Sequence, residues 1–272
     1  MPTSSDPIKL YIVYYTTWLH VHELALAIQR GAQKVPGLEV KLFQIAETLP
    51  DAALEKMYAP AKPDVPILQP NDIAEADGFL FGIPTRYGNM PTQVKAFWDA
   101  TGSLWQKGAL VGKMAGTFFS TSSQHGGQET TAFTLLTTLV HHGMIYVPLG
   151  YSTPLLLDND MPNGGSAYGA GTLSNPDGSR AVSAHEKSIG EFQGESFAKT
   201  LKAYADGRRG VSSSIASTAP PVASSTNDGT NAAASGAPVP SAENPTAPAT
   251  TPGDATTRSS GYRLYGCGQR CQ

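Results

Sequence analysis

The sequence predicts a doubly wound α/β domain, a five-stranded parallel sheet with helices on both faces, followed by a disordered C-terminal tail. Three observations carry that expectation. Apolar runs of strand length alternate with amphipathic helical segments as far as about residue 205. Stretches rich in hydroxyls and glycine follow the strands, where open parallel sheets bind ligands. From about Gly207 large apolar residues nearly vanish, so the chain there cannot bury enough surface to offset its ordering entropy.

The first strand, through Tyr15, is β-branched and aromatic, as buried strands are. Val21, Leu24, Ala25, Ile28, Ala32 and Val35 then recur on one face of a helix. Pro36-Gly37 turns the chain into an alternating second strand, Leu38–Ile45. Gly78–Ile83 is a nearly uninterrupted apolar run, like a central parallel strand. Pro91 suits the first turn of a helix whose shared face holds Val94, Phe97, Trp98 and Thr101. Met114–Ser120 reads as a strand, Thr131–His142 as a helix and Ile145–Leu149 as the fifth strand. Ser183 and Glu186 have capping-box spacing. They open a last helix that buries Ile189, Phe192, Ser196, Phe197, Leu201 and Tyr204. Residues 150–182 form a Gly/Asn/Pro-rich excursion, longer than a link needs, which points to function or oligomer contacts. The organisation is thus a domain over 1–206, a low-complexity linker over 207–260 and a cysteine-containing motif over 261–272.

With 40% hydrophobic and 15% charged residues in a 272-residue chain, the composition is that of a globular protein with a long polar appendage. A net charge of -3 gives no reason to expect nucleic acid as a partner. The opening MPTSSDP is too polar for a signal peptide, and no apolar run would span a bilayer. Both cysteines, Cys267 and Cys271, fall in the tail, so no disulfide staples the core and the folded part is expected to be intracellular.

Three post-strand stretches, TTWLHV, PTRYGNMP and STSSQHGGQE, would gather on one sheet edge. Threonines before a helix are ordinary N-caps, and they also present free amides and a positive dipole end to an anion. No lysine follows a glycine loop, and no G-x-G-x-x-G follows the first strand, which disfavours nucleoside triphosphate and classical dinucleotide sites. Hydroxyls and amides suit instead a phosphate monoester on a neutral planar ring, as in flavin mononucleotide (FMN).

At this level of detail the chain resembles a known family, the flavodoxin-like NAD(P)H:quinone oxidoreductases of WrbA type. The likeness rests on GIPTRYGNMPTQVKAFWDATGSLWQKGALVGK, STSSQHGGQE, TTLVHHGMIYVPLGY and SAYGAGTLSNPDGSR, and covers nearly all of residues 8–205. It implies that Thr16, Thr17, Trp18, Leu19, His20 and Val21 form a phosphate-binding loop. It further implies that Thr85, Arg86 and Tyr87 border the isoalloxazine, with Ser120, Thr121, Ser122, Ser123, Gln124 and His125 along the ring's other edge. Trp18 and Trp105 match aromatic positions lining the quinone and nicotinamide cavity, although either could be a core aromatic. His141 matches a histidine that contacts flavin across a homotetramer, and Arg86, Trp105 and His141 are the residues the resemblance brings to catalysis. NADH or NADPH would be the electron donor and a quinone the acceptor.

Two features depart from that family. Leu19 stands where glycine is usual, so either the loop takes an allowed path or leucine holds a left-handed conformation at a cost of about 1–3 kcal/mol. Such a cost keeps alive a rival reading, a non-catalytic flavodoxin-like scaffold or membrane-domain organiser with a weakened flavin site. In the third loop Ser122, Gln124 and His125 replace residues often glycine, and His125 is expected to point to water. The tail resembles a fungal branch whose tails are lipid-modified. Cys267 and Cys271 lie near Tyr262, Arg263, Leu264, Tyr265 and Arg270, and Gln269 at the fourth position from the end excludes the usual prenylation box. Two thiols without a nearby histidine are an incomplete metal ligand set. Acylation fits best, which would hold a cytoplasmic protein at the cytoplasmic face of a membrane.

Overall fold

The computed structural model of the chain describes residues 7–218, with side chains through residue 209. Strands β1 (Ile8–Tyr14), β2 (Leu38–Gln44), β3 (Gly78–Pro84) and β4 (Met114–Thr121) are parallel and lie in the order β2-β1-β3-β4. The fifth position, beyond β4, is shared by two short strands. β5 (Ile145–Tyr146) pairs with Met114 and Ala115, and β6 (Gly171–Leu173) pairs with Phe119, Ser120 and Thr121. The order reverses between β1 and β3, which opens a crevice at their carboxyl ends.

The expected fifth strand, Ile145–Leu149, is therefore interrupted. The Val147 N–H still donates to the Ala115 carbonyl at 2.8 Å, but Pro148 follows and has no N–H to continue the ladder. The excursion leaves here and returns at Gly169, where a Cβ would lie 1.8 Å from the Thr117 carbonyl oxygen. Only a glycine lets the returning chain come this close to β4.

One face of the sheet is covered by α1 (His20–Gln33) and α6 (Ala184–Thr218), packed on Leu10, Ile12, Leu80 and Phe118. The other is covered by α3 (Thr92–Asp99), α4 (Gly102–Gln106) and α5 (Gln128–His141), packed on Val13, Phe79 and Phe81. The six apolar residues assigned to the inner face of α1 are all buried. So are Ile189, Phe197 and Leu201 of α6, while Phe192, Ser196 and Tyr204 are half-buried at its margins. A Cβ on Gly194 would stand 2.0 Å from the Ile28 carbonyl oxygen, so the two helix backbones touch there. A short helix α2 (Asp51–Lys56) buries nothing and lies in the long connection before β3.

The capping box forms as its spacing predicts. Ser183 Oγ accepts from the Glu186 N–H at 3.1 Å, and Glu186 Oε2 accepts from the Ser183 N–H at 2.9 Å. Helix α6 passes the compositional change at Gly207 and runs to Thr218. Extending a formed helix costs far less than nucleating one, and Ala and Ser can be carried along. The remainder of the linker and the cysteine motif lie outside the described residues. Among the described residues no helix is long and apolar enough to cross a membrane.

Candidate functional site

The loop from β1 into α1 is built for an anion. Thr16 and Thr17 are buried, and Leu19 caps α1 with φ 69 and ψ -7, the left-handed conformation that glycine adopts without cost. The Leu19 carbonyl accepts from the Glu23 N–H at 2.9 Å, starting the helix. Among the described residues the N–H groups from Thr17 to His22 find no backbone acceptor, and those that open α1 stand at the positive end of its dipole. Of the two paths open to Leu19, the chain takes the strained one and keeps the loop's tight curl. Burial holds His22 below the usual histidine range, and Tyr14 Oη lies 2.7 Å from its Nδ1. Burial also raises the Tyr14 phenol, which keeps its proton beside the imidazole.

Arg86 crosses from β3 to this loop. Its Nη2 donates to Thr17 Oγ1 at 3.0 Å, its Nη1 to the Thr85 carbonyl at 2.9 Å, and its guanidinium lies 5.6 Å from the Trp18 ring centre. Trp18 is itself pinned, because its Nε1 donates to the Met57 carbonyl at 3.2 Å. Arg86 and Asn89 exchange backbone hydrogen bonds of 2.8 and 3.0 Å around Tyr87 (φ 55) and Gly88 (φ 72), a two-residue turn with both central residues left-handed. Tyr87 projects fully into solvent from its tip. A hollow of about 520 Å³ opens beside Arg86, lined also by Leu49, Tyr87, Met90 and Gln93, and it falls within the size range of small-molecule sites.

The β4–α5 loop completes the edge. Thr121 Oγ1 donates to the Ser123 carbonyl at 2.8 Å, and Gln128 Nε2 donates to both at 2.9 and 3.1 Å. Thr131 Oγ1 reaches Thr85 Oγ1 at 2.8 Å, tying this loop to that of Arg86. The two loops meet at glycines: a Cβ on Gly127 would lie 2.9 Å from the Gly88 Cα. Ser120 and Thr121 are buried at the strand end, while Ser122, Ser123, Gln124 and His125 are exposed, His125 towards water as expected.

Sequence reasoning missed a polar cluster beneath the first loop. Glu47, just past β2, accepts from Tyr15 Oη at 2.8 Å, Gln93 Nε2 at 2.9 Å, and the Thr48 and Leu49 N–H groups at 2.9 and 3.1 Å. Lys62 Nζ pairs with it at 2.9 Å, donates to the Thr16 carbonyl at 2.5 Å and sits 4.8 Å from the Tyr15 ring centre. Burial alone would raise the Glu47 carboxyl, but the Lys62 ammonium, the Leu49 N–H and the Tyr15 hydroxyl outweigh it and hold the group at about 2. Burial also pushes the Tyr15 hydroxyl up to about 12, so it remains the donor in that bond. No short-range motif links Tyr15, Glu47, Lys62 and Gln93. The one available signal was a lone lysine among prolines in the β2–β3 connection.

Thr16, Thr17, Trp18, Leu19, His20, Val21, Thr85, Arg86, Tyr87 and the residues from Ser120 to His125 therefore gather on one edge. Within that set His20 turns aside, its Nε2 donating to the Arg180 carbonyl at 2.9 Å. Trp105 and His141 do not join them within one chain. Helices α3 and α5 run antiparallel to their strands, so α4 and the end of α5 lie at the opposite edge of the sheet. The 14-residue α5 alone spans about 20 Å. There Trp105 is 58% exposed and His141 is exposed, while the neighbouring His142 is buried against Trp98 with its Nε2 3.0 Å from Thr101 Oγ1. Among the described residues no group of His, Cys, Asp and Glu side chains is arranged to hold a metal ion.

Comparison with known proteins agrees with this architecture. Residues 21–153 match the family model of NADPH-dependent FMN reductases. The NAD(P)H quinone oxidoreductase PST1 of Candida albicans is 51% identical over 193 residues, 71% of this chain and 97% of the relative. Quinone-oxidoreductase QR2 of Triphysaria versicolor is 56% identical over 176 residues, 64% of this chain and 86% of its own. The minor allergen Alt a 7 of Alternaria alternata is 54% identical over 193 residues, 70% of this chain and 94% of its own. The chain belongs to this family of flavodoxin-like NAD(P)H quinone oxidoreductases.

The left-handed Leu19 yields a direct test. Leu19→Gly and Leu19→Ala remove the same side chain, but only glycine escapes the left-handed penalty of about 1–2 kcal/mol. The glycine variant should therefore unfold at higher urea than the alanine variant, by about 1 kcal/mol after glycine's own entropy cost. An alanine variant as stable as the glycine one would mean that the loop carries no such strain.

Proposed function

We propose that the protein is an FMN-dependent NAD(P)H:quinone oxidoreductase that reduces quinones by two electrons in a ping-pong cycle. The observation that carries this reading is the first loop: buried threonines, unpaired amides and a left-handed Leu19 at the dipole end of α1. These donors fit a phosphate monoester, and the second and third loops, closed on each other at Gly88 and Gly127, form one wall of the crevice against which a flat ring could lie. Bound FMN would supply the hydride-accepting and hydride-donating centre.

The chain's own residues then have defined tasks. The amides of the first loop bind the phosphate. Thr85 and the β4–α5 loop orient the ring from two sides. Arg86 is held in place by Thr17, Thr85 and the face of Trp18, so a fixed positive charge meets negative charge that develops at the ring edge. Trp18 and Tyr87 offer aromatic walls for nicotinamide and quinone in turn. A single cavity serving both substrates requires the oxidised nicotinamide to leave before the quinone enters. Isothermal titration should give saturable FMN binding that survives removal of residues 219–272. Initial rates with NADH and a soluble quinone should give parallel double-reciprocal lines. Well-folded protein that binds no FMN would end the enzyme reading, and intersecting lines would end the ping-pong scheme.

We further propose a homotetramer. Trp105 and His141 stand exposed at the far edge of the sheet, and Phe133 and Val140 of α5 are exposed apolar residues, which suits contributions to a partner's site and to subunit contacts. Sedimentation at micromolar concentration with FMN should give a tetramer, and a monomer throughout would exclude it.

The tail extends the proposal to localisation. Cys267 and Cys271, with Arg263 and Arg270 beside them, lie outside the described residues at the end of a long polar tether. We propose that both are reversibly S-palmitoylated and hold the enzyme at the cytoplasmic face of a membrane, since two chains, or one chain with basic residues, anchor stably. Wild type should pellet with membranes and be released by hydroxylamine, whereas the Cys267→Ser/Cys271→Ser variant should stay soluble. Equal pelleting of both, with no thioester-linked lipid, would overturn this.

A further inference from the structure

The cluster beneath the first loop has a geometric consequence for the loop above it. The Lys62 ammonium donates to the Thr16 carbonyl at 2.5 Å and is held there by Glu47 at 2.9 Å and by the Tyr15 ring face. Its backbone is fixed as well. Gln44 Nε2 donates to the Pro63 and Val65 carbonyls at 2.8 and 3.0 Å, and the Gln44 N–H donates to the Pro66 carbonyl at 2.8 Å, strapping this connection to β2. Glu47 is tied by four further donors from Tyr15, Gln93, Thr48 and Leu49.

A trans peptide is planar, with its C=O and N–H pointing in opposite directions. Every peptide bond among the described residues is trans. A Thr16 carbonyl turned inward to Lys62 therefore turns the Thr17 N–H outward, and that N–H has no hydrogen-bond acceptor among the described residues. Arg86 holds the Thr17 side chain from the other side through Oγ1, so the peptide cannot swing freely.

We infer that Lys62 is a positioning residue for the cofactor phosphate. It fixes the Thr16–Thr17 peptide so that the Thr17 amide is aimed at the anion. The inference rests on the FMN reading above and adds to it a residue far from the loop in sequence. Lys62 does not itself touch the phosphate in this scheme. Its effect should therefore depend on the phosphate being present, and should not depend on screening of the lysine charge.

The test compares FMN with riboflavin, which has the same ring and no phosphate, by fluorescence titration of the full chain and its Lys62→Met and Lys62→Arg variants. Lys62→Met should bind FMN about tenfold more weakly, about 1.4 kcal/mol, with riboflavin affinity changed less than about twofold. Lys62→Arg keeps a donor in reach of the Thr16 carbonyl and should restore most of the FMN affinity. The FMN loss should be the same at about 50 and about 500 mM salt, conditions between which a direct charge–phosphate attraction would be largely screened. Far-UV circular dichroism checks the fold, and if Lys62→Met is unfolded then Lys62→Gln takes its place. Unchanged FMN affinity would overturn the inference. So would equal losses for FMN and riboflavin, or a loss that disappears at high salt. Wild type that binds riboflavin but gains nothing from the phosphate would also overturn it. Wild type that binds neither would bring down the FMN reading itself.

Discussion

A buried carboxylate organises this domain. Glu186 has no exposed surface, and an unpaired charge in such a place would be strongly unfavourable. It is met by the Leu173 N–H at 3.0 Å, Thr172 Oγ1 at 3.1 Å, the Ser183 N–H at 2.9 Å, and Arg180 Nη1 at 3.0 and 2.9 Å to its two oxygens. Arg180 donates in turn to the Leu173 and Pro162 carbonyls at 2.7 and 3.2 Å, and its own carbonyl receives His20. One ion pair thus ties together the start of α6, strand β6, the excursion and the first turn of α1. Strand β6 is only three residues long, too short to hold its place by ladder bonds alone. Removing one partner of such a pair typically costs about 3–5 kcal/mol, and here the loss would fall on the seat of the fifth strand.

That seat shapes the crevice. With β6 against the end of β4, the Ser174 N–H donates to the Thr121 carbonyl at 2.9 Å, and the Tyr168 carbonyl accepts from Thr117 Oγ1 and Tyr146 Oη at 3.1 and 2.7 Å. The strand that launches the β4–α5 loop is clamped on its outer side. Glu47 does the corresponding work at the β2 side of the crevice. The two carboxylates differ in what they hold. Glu186 fixes strands and a helix start, whereas Glu47 and Lys62 act on a single peptide plane and on the Tyr15 hydroxyl beneath Thr17.

Local signals were the legible ones. The 3.6-residue period of α1, the all-apolar β3 and the Ser183–Glu186 spacing are set by neighbours in sequence, and each forms where its pattern falls. The gathering of three loops on one edge followed from topology, since parallel strands put all their following loops on the same side. The division of the fifth strand was written only in Pro148 and in glycines such as Gly169, whose meaning depends on how closely β4 approaches. The spacing that marked Glu186 as a cap could not show that it is fully buried, because its arginine arrives from a loop. Glu47 and Lys62 carry no periodic signal, and their partners lie just past β1 and on α3. For Trp105 the motif match implied a cavity wall and for His141 a flavin contact across a subunit boundary, while the antiparallel course of α3 and α5 puts both at the far edge of the sheet within one chain.

The conformations at the crevice show what these anchors make possible. Among the described residues four non-glycine positions have positive φ: Leu19, Tyr58, Tyr87 and Asn175. Leu19 and Tyr87 stand directly at the crevice. Tyr58 follows Met57, whose carbonyl holds Trp18, and Asn175 follows Ser174, which holds the end of β4. Such residues are unfavourable on their own and persist where the surroundings over-determine them. Here the surroundings are the donors of Lys62 and Arg86 at the first loop, and the paired backbone bonds of Arg86 and Asn89 at the second. Lys62, paired with Glu47, holds the Thr16 carbonyl from below and Arg86 holds Thr17 Oγ1 from the side, so the residues that lead into Leu19 are anchored by side chains from outside the loop.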